Sequence, residues 1–259
     1  MLTMPLKEWT RYRDILAKMS QQAADEFRDA VFKAGGILSP TGLLSSADRN
    51  AIIDYAYALV RKYSAGASEV ACEWYDALAA LSSADVEPAE PAEPPNIHEV
   101  AKAVNGTLKT GNEDIVAGAV GRLVKQAGQD TTLQNAIRDG AYVAWIPSGD
   151  TCAFCIALAS RGFEKASKKT IKNGHAKHIH ANCDCFYGVR FDDDTEYAGY
   201  DPELYLELYN STNGTPKERI NAMRREFYDI NNEKIKEQKR SAYAKQRERE
   251  SSRAEEKTV

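Results

Sequence analysis

The chain has 259 residues, of which 43% are hydrophobic and 28% are charged, and its formal net charge is −4. This composition is typical of a globular protein in water, and the negative charge argues against a protein whose main task is to coat nucleic acid with a basic surface. The sequence has no long apolar run and no basic segment followed by an apolar one at its start, so we expect neither a membrane span nor a signal peptide.

Apolar residues recur at helical spacing through residues 1–84, which predicts a helical N-terminal region. The first helix is expected to end before the Gly35–Gly36 pair. Ser46 or Asp48 is placed to cap a second helix, and Gly66 is the residue at which we expect that helix to end. A further helix is predicted to follow it.

Residues 85–96 read DVEPAEPAEPPN and contain four prolines and four acidic residues. Such a segment forms neither a helix nor a core, and its three-residue repeat is typical of an extended, semi-rigid spacer. We interpret it as a Pro/Glu linker between the N-terminal region and a second part of the chain. The alternative is a long surface loop within one helical domain.

The part after the linker, residues 97–215, begins with more helical periodicity. Apolar stripes predict helices over residues 97–140, and we expect Gly111 and Gly128 to interrupt them. The character then changes: AYVAWIP, residues 141–147, fits a short strand or the end of a helix, and FYGVRF, residues 186–191, fits a strand.

The C-terminal segment, residues 216–259, is predicted to be a long, highly charged helix whose thin apolar stripe fades after Ile235. Between Lys217 and Lys257 there are thirteen lysines and arginines against nine acidic residues, a net +4 that leaves −8 for the rest of the chain. Such a tail is usually a solvated face or a disordered end. The alternative is a segment that docks on a partner or contacts nucleic acid non-specifically.

Cysteine and histidine are concentrated in one part of the chain. Of the five cysteines and four histidines, four cysteines and three histidines lie between Cys152 and Cys185. A chain that stays in the cytosol keeps its thiols reduced, and clustered cysteines there are more often metal ligands or catalysts than disulfides. The remaining cysteine, Cys72, is isolated in a predicted helix, and we interpret it as a small core residue.

The spacing of the first two clustered cysteines, Cys152-Ala-Phe-Cys155, is that of a metal knuckle, in which a tight turn lets both sulfurs face one ion. Zinc takes four such ligands in a tetrahedron, and the mixed set and paired spacing favour zinc over iron. The ligands that we favour are Cys152, Cys155, His180 and Cys185. Further candidates are Cys183, which comes next, His175 and His178. A set of four cysteines is the other choice, because more candidates exist than a tetrahedral ion needs.

Three rival interpretations of the cluster are a pair of disulfides, a cysteine nucleophile with a histidine base, and a treble-clef zinc nuclease that uses His178 and His180. A nucleophile does not require four cysteines in paired spacing. A hydrolytic zinc needs an open coordination position, whereas this cluster has enough ligands to close the shell. A structural site is therefore the expectation, and the absence of G-x-S-x-G, Walker A and H-E-x-x-H motifs agrees with a protein that is not an enzyme.

A longer pattern surrounds the knuckle. Trp145 and the small and acidic residues 148–150 precede T-C-x-F-C-x-x-L-x-S-R-G, residues 151–162, and H-x-x-C-x-C, residues 180–185, follows. This pattern resembles the minor head, or head morphogenesis, proteins of tailed bacteriophages, the Mu F-like group, in the form associated with actinobacterial phages and prophages. The specific match covers about residues 141–191, and the helical flanks are similar only in character.

The resemblance implies a mainly α fold with a small α+β Cys/His metal-binding module, in which residues 97–215 form the Mu F-like domain and residues 141–191 its zinc knuckle. It implies a minor capsid protein with structural zinc that associates with the portal protein, the major capsid protein or both. Such a protein acts in procapsid assembly and in DNA packaging or delivery. Its expected location is inside the capsid near the portal, and the host cytoplasm during assembly, with the basic tail near packaged DNA. The alternatives are the zinc-dependent nuclease and a nucleic-acid-binding module of the host.

Overall fold

A computed structural model of the chain describes residues 2–4, 7–33, 44–147, 151–168, 185–192, 195–197 and 199–227. The helices are α1 (Lys7–Phe32), α2 (Ser46–Leu81), α3 (Ile97–Leu108), α4 (Glu113–Asp139), α5 (Ala153–Ala159), α6 (Pro202–Asn210) and α7 (residues 216–227). The strands are β1 (Leu2–Met4), β2 (Tyr142–Ile146), β3 (Glu164–Lys165), β4 (Phe186–Arg190) and β5 (Thr195–Tyr197). The prediction of a mainly helical protein with a small sheet is confirmed. No helix in this part of the chain is long and apolar enough to cross a membrane.

Helix α2 begins at Ser46, so the prediction that Ser46 or Asp48 is its N-cap is wrong, and the helix runs much further than predicted. Ser45 is its N-cap: the Ser45 hydroxyl accepts a 3.0 Å hydrogen bond from the Asp48 amide, and the Asp48 carboxylate accepts one of 3.1 Å from the Ser45 amide. The prediction that α2 ends at Gly66 is wrong, because the helix continues to Leu81. A Cβ on Gly66 would lie 3.0 Å from Cε of Met19, so this glycine allows α1 to pack closely, and packing outweighs its weak helix propensity.

Helix α4 is the centre of the bundle and packs against α1, α2 and α3. Gly111 lies in the turn before α4 with a φ of +65°, as expected for a glycine that separates two helices. Gly128, however, lies inside α4, so the prediction that it interrupts the helix is wrong. A Cβ there would lie 2.9 Å from Cδ1 of Leu16 and 3.2 Å from the carbonyl oxygen of Ala67, so Gly128 lets two helices approach the third.

Residues 85–96 have no regular secondary structure and are bound along α4. The Asn135 side chain accepts a 2.9 Å hydrogen bond from the Glu90 amide and donates one of 2.8 Å to the Glu90 carbonyl. The Ala92 amide donates to the Thr131 hydroxyl at 3.0 Å, and the Arg138 guanidinium donates to two carbonyls of the same segment. Helices on both sides of the segment contribute residues to one buried core cluster.

The larger sheet has the strand order β3-β2-β4, with both pairings antiparallel. The register of β2 and β4 runs from Tyr142 opposite Arg190 to Ile146 opposite Phe186. Residues 141–147, for which the sequence left open a strand or a helix end, thus contain a strand, and the predicted strand at 186–191 is confirmed. Strands β1 and β5 form a separate parallel pair.

Candidate metal centre

The structure describes three of the predicted ligands, Cys152, Cys155 and Cys185. The others, His180, Cys183, His175 and His178, lie outside the described residues, so the complete ligand set stays a prediction. The isolated cysteine is resolved as expected: Cys72 is buried in α2, at 8% exposure.

The pair Cys152 and Cys155 is positioned by the start of α5. Cys152 is the N-cap residue, with an extended backbone, and Cys155 lies three positions further, in the first helical turn. The Cys155 amide donates a 3.4 Å hydrogen bond to Sγ of Cys152, the contact that Ser, Thr or Asp makes at other N-caps. The spacing C-x-x-C therefore forms a tight turn with both side chains at one end of a helix.

Helix α5 is held between the sheet and the C-terminal helices. It packs against β2 and against α6. Ala153 and Ile156 form a small apolar cluster with Met223 of α7, which is 2% exposed, and the Tyr200 hydroxyl donates a 2.7 Å hydrogen bond to the carbonyl of Ala159. The first turns of the charged C-terminal segment thus have a defined role, which is to cover the cysteine helix.

Cys185 is the described cysteine at the other end of the motif. It immediately precedes β4 and is 2% exposed. Its carbonyl accepts a 3.3 Å hydrogen bond from Nε2 of Gln129, whose Oε1 accepts one of 3.0 Å from the amide of Tyr187. On the neighbouring helix α6, burial raises the pKa of Tyr205.

Sequence reasoning missed Gln129 as a residue of this site. The signal was present in α4, where buried polar side chains interrupt the apolar stripe: Lys125, Gln126, Gln129, Thr131, Thr132 and Asn135. A glutamine on the buried face of a helix needs hydrogen-bond partners. Its partners are backbone groups that lie 56 and 58 residues away in sequence, so spacing alone did not reveal them.

The thiols of Cys152 and Cys155 are of the type that binds zinc, and they would supply two of its four ligands. Sulfur ligands suit zinc, and a short turn at a helix start is a usual way to present two of them to one ion. Among the residues that the structure describes, no three Cys, His, Asp or Glu side chains form a group arranged for a metal ion. Cys152 and Cys155 therefore fit a zinc ion in two respects: they are sulfur ligands, and the turn at the start of α5 has the geometry of a zinc knuckle.

The sequence model of a family described as "VG15 protein" matches residues 4–212, about four fifths of the chain. The chain belongs to the VG15 protein family. This is a phage protein family, so the phage origin that the motif implied is confirmed. The VG15 match includes all of the Cys/His segment and ends just before α7. Neither the curated proteins nor the solved structures contain a match to this chain.

Proposed function

We propose that this VG15 protein is a minor capsid, or head morphogenesis, protein of a tailed phage or prophage. In this proposal it associates with the portal protein, the major capsid protein or both during procapsid assembly and DNA packaging or delivery. It is located inside the capsid near the portal, and in the host cytoplasm during assembly. The observation that carries the proposal is the Mu F-like Cys/His pattern of residues 141–191 in a chain of a phage family.

A structural zinc site is part of this proposal. Cys155 is 1% exposed and Cys185 is 2% exposed, and both belong to the buried core cluster. A hydrolytic zinc keeps an open coordination position, and a nuclease site must admit a DNA strand, whereas buried ligands suit a closed shell. The burial of both thiols therefore supports a zinc that stabilises the local fold, and it disfavours the alternative of a zinc-dependent nuclease.

Helix α6 carries the surface at which we expect a protein partner. Three of its leucines point to solvent, Leu204 at 52%, Leu206 at 43% and Leu208 at 41% exposure, while Tyr205 and Tyr209 pack inward. Exposed apolar side chains grouped on one element are typical of protein interaction sites. Leu204 and Leu208 are four residues apart and so lie on one helical face.

The test is co-expression of the full chain with the portal and major capsid proteins of the same phage or prophage, followed by purification of procapsids. We expect the chain to co-purify with the procapsid, and the double variant Leu204→Asp/Leu208→Asp to be lost from it while it stays folded. Ile115→Asp is the matched control, because Ile115 is 44% exposed on α4. A wild-type chain that never co-purifies with portal or capsid contradicts the proposal. If Ile115→Asp is also lost from the procapsid, the exposed leucines of α6 are not the specific contact surface.

A further inference from the structure

Helices α5, α6 and α7 share a small apolar cluster beside the main core. Ala153 and Ile156 of α5 are buried together with Met223 of α7, at 1%, 3% and 2% exposure, in a cluster separate from the one that joins the helical bundle to the sheet. Tyr209 of α6 packs against this cluster and is only partly buried. Because the free energy of burial grows with the apolar area, α7 is held on α5 more weakly than the helices of the bundle are held on each other.

Helix α5 divides its buried side chains between two neighbours. Cys155 and Leu158 belong to the main core, whereas Ala153 and Ile156 belong to the small cluster with α7. A helix of seven residues is not stable alone in water, because so few hydrogen bonds do not offset the cost of nucleation. Helix α5 therefore depends on packing against both neighbours. Since Cys155 is 1% exposed, its thiol meets a reagent in solution only when this helix opens locally.

Arg219, near the start of α7, joins that helix to the end of α6. Its guanidinium donates hydrogen bonds of 2.8 Å to Oδ1 of Asn210, 3.0 Å to the carbonyl of Gly214 and 3.4 Å to the carbonyl of Tyr209. The same guanidinium lies 5.2 Å from the centre of the Tyr209 ring. One side chain thus binds a carbonyl at the end of α6 and a carbonyl of the turn that follows, and it fixes the angle between the two helices.

We propose that Arg219 is a latch: it holds α7 on α5 and so controls local opening of the cysteine helix while the helical bundle stays folded. Met223 lies four residues after Arg219, on the same side of α7, so the contacts of Arg219 fix where Met223 meets α5. The VG15 match ends at residue 212, and the latch therefore lies beyond the part of the chain that the family model covers. Access to the Cys155 thiol is thus controlled from the C-terminal segment, whether or not a metal is bound.

The test measures how fast iodoacetamide alkylates each cysteine of the full chain, with a chelator present to remove any metal and peptide mass spectrometry to assign each thiol. Cys72 is the internal reference, because it is buried in α2 and belongs to another part of the molecule. Arg219→Met loses the three hydrogen bonds and the ring contact. We expect Cys155 to react roughly 5- to 30-fold faster in this variant, and Cys72 to react at its wild-type rate. The matched control is Arg224→Met, which removes an exposed arginine of the same helix and should leave both rates unchanged.

Three results would overturn the latch. The first is an unchanged rate at Cys155 in Arg219→Met, and the second is an equal acceleration of Cys155 and Cys72, which would show that the whole protein is loosened. The third is an equal effect of Arg224→Met, because loss of any positive charge from α7 would then explain the result.

A second variant keeps the proposal testable if Arg219→Met does not fold, as checked by helical circular dichroism. Met223→Ala leaves the contacts of Arg219 in place and removes the buried side chain that packs on α5. It should accelerate Cys155 selectively, and a wild-type rate there would also overturn the proposal. Because alkylation is measured after chelation, failure of the zinc proposal leaves this test unaffected.

Discussion

Ser20 of α1 and Gly121 of α4 are in direct contact, backbone against backbone. The Ser20 hydroxyl donates a 2.8 Å hydrogen bond to the Gly121 carbonyl, and a Cβ on Gly121 would lie 2.6 Å from the Ser20 carbonyl oxygen. Gly128 repeats this close approach two turns further along the same face, against Leu16. The two glycines, seven residues apart, therefore set how near α1 lies to α4.

Replacement of Gly121 by alanine is expected to lower the free energy of unfolding by about 1–3 kcal/mol, because the added methyl group meets backbone, which cannot move aside as a side chain can. The measurement is urea denaturation followed by helical circular dichroism. Gly106→Ala is the control: a Cβ on this exposed glycine of α3 meets nothing within 4 Å. It should gain about 0.5–1 kcal/mol from better helix propensity. Destabilisation by both variants alike would contradict the close-packing account.

The bound segment, residues 85–96, is expected to detach locally when Asn135 is replaced by alanine. The variant loses one bond from the Glu90 amide and one to the Glu90 carbonyl, which should lower the free energy of unfolding by about 1–3 kcal/mol. Hydrogen exchange would report faster exchange of the Glu90 amide, with the amides of α4 less affected. Gln134→Ala, an exposed neighbour on the same helix, should leave that exchange unchanged. Unaltered protection of Glu90 in Asn135→Ala would show that the segment is held by other contacts.

Cys72 is expected to make stability fall in alkaline solution. Burial raises the pKa of its thiol from 9.0 to about 11, and the negative charge of Asp76 and Glu69 adds to the rise. Since the unfolded chain loses this proton first, the stabilisation is complete below about pH 9 and is lost as pH rises through about 11. Cys72→Ala removes this contribution, so the stability difference between wild type and variant should shrink between pH 9 and 11. A difference that stays constant over that range would show that the thiol titrates normally in the folded protein.

The proposed zinc site predicts about one zinc per chain by elemental analysis, as a single tetrahedral site requires. Cys152→Ser and Cys185→Ser should each lose the metal together with thermal stability, since metal binding contributes to folding of the local segment. Cys72→Ala is the control and should retain the metal, because Cys72 is buried in α2 and outside the motif. Metal-free wild type with reactive or disulfide-bonded thiols would require the cysteines to be reinterpreted as a redox or nucleophilic site.

The helices that could be predicted are those whose own periodicity and caps define them. Asn96 and Asn112 cap α3 and α4 with their side chains, and the prolines at 94 and 95 precede α3 without interrupting it. The two errors inside helices, at Gly66 and Gly128, have one cause. Glycine was interpreted as a local breaker, whereas each allows a neighbouring helix to pack closely, and that neighbour lies far away in sequence.

Residue order by itself determined the mainly helical class, the strand at 186–191, the phage character and the tight turn of Cys152 and Cys155, because each of these depends on local spacing or on a contiguous motif. Only the tertiary structure decided that residues 85–96 lie along α4, that Met223 covers the cysteine helix and that Gln129 holds Cys185. These contacts join residues that are from 45 to 70 positions apart. No periodicity encodes such a pairing, which arises when buried polar and apolar groups find partners during packing.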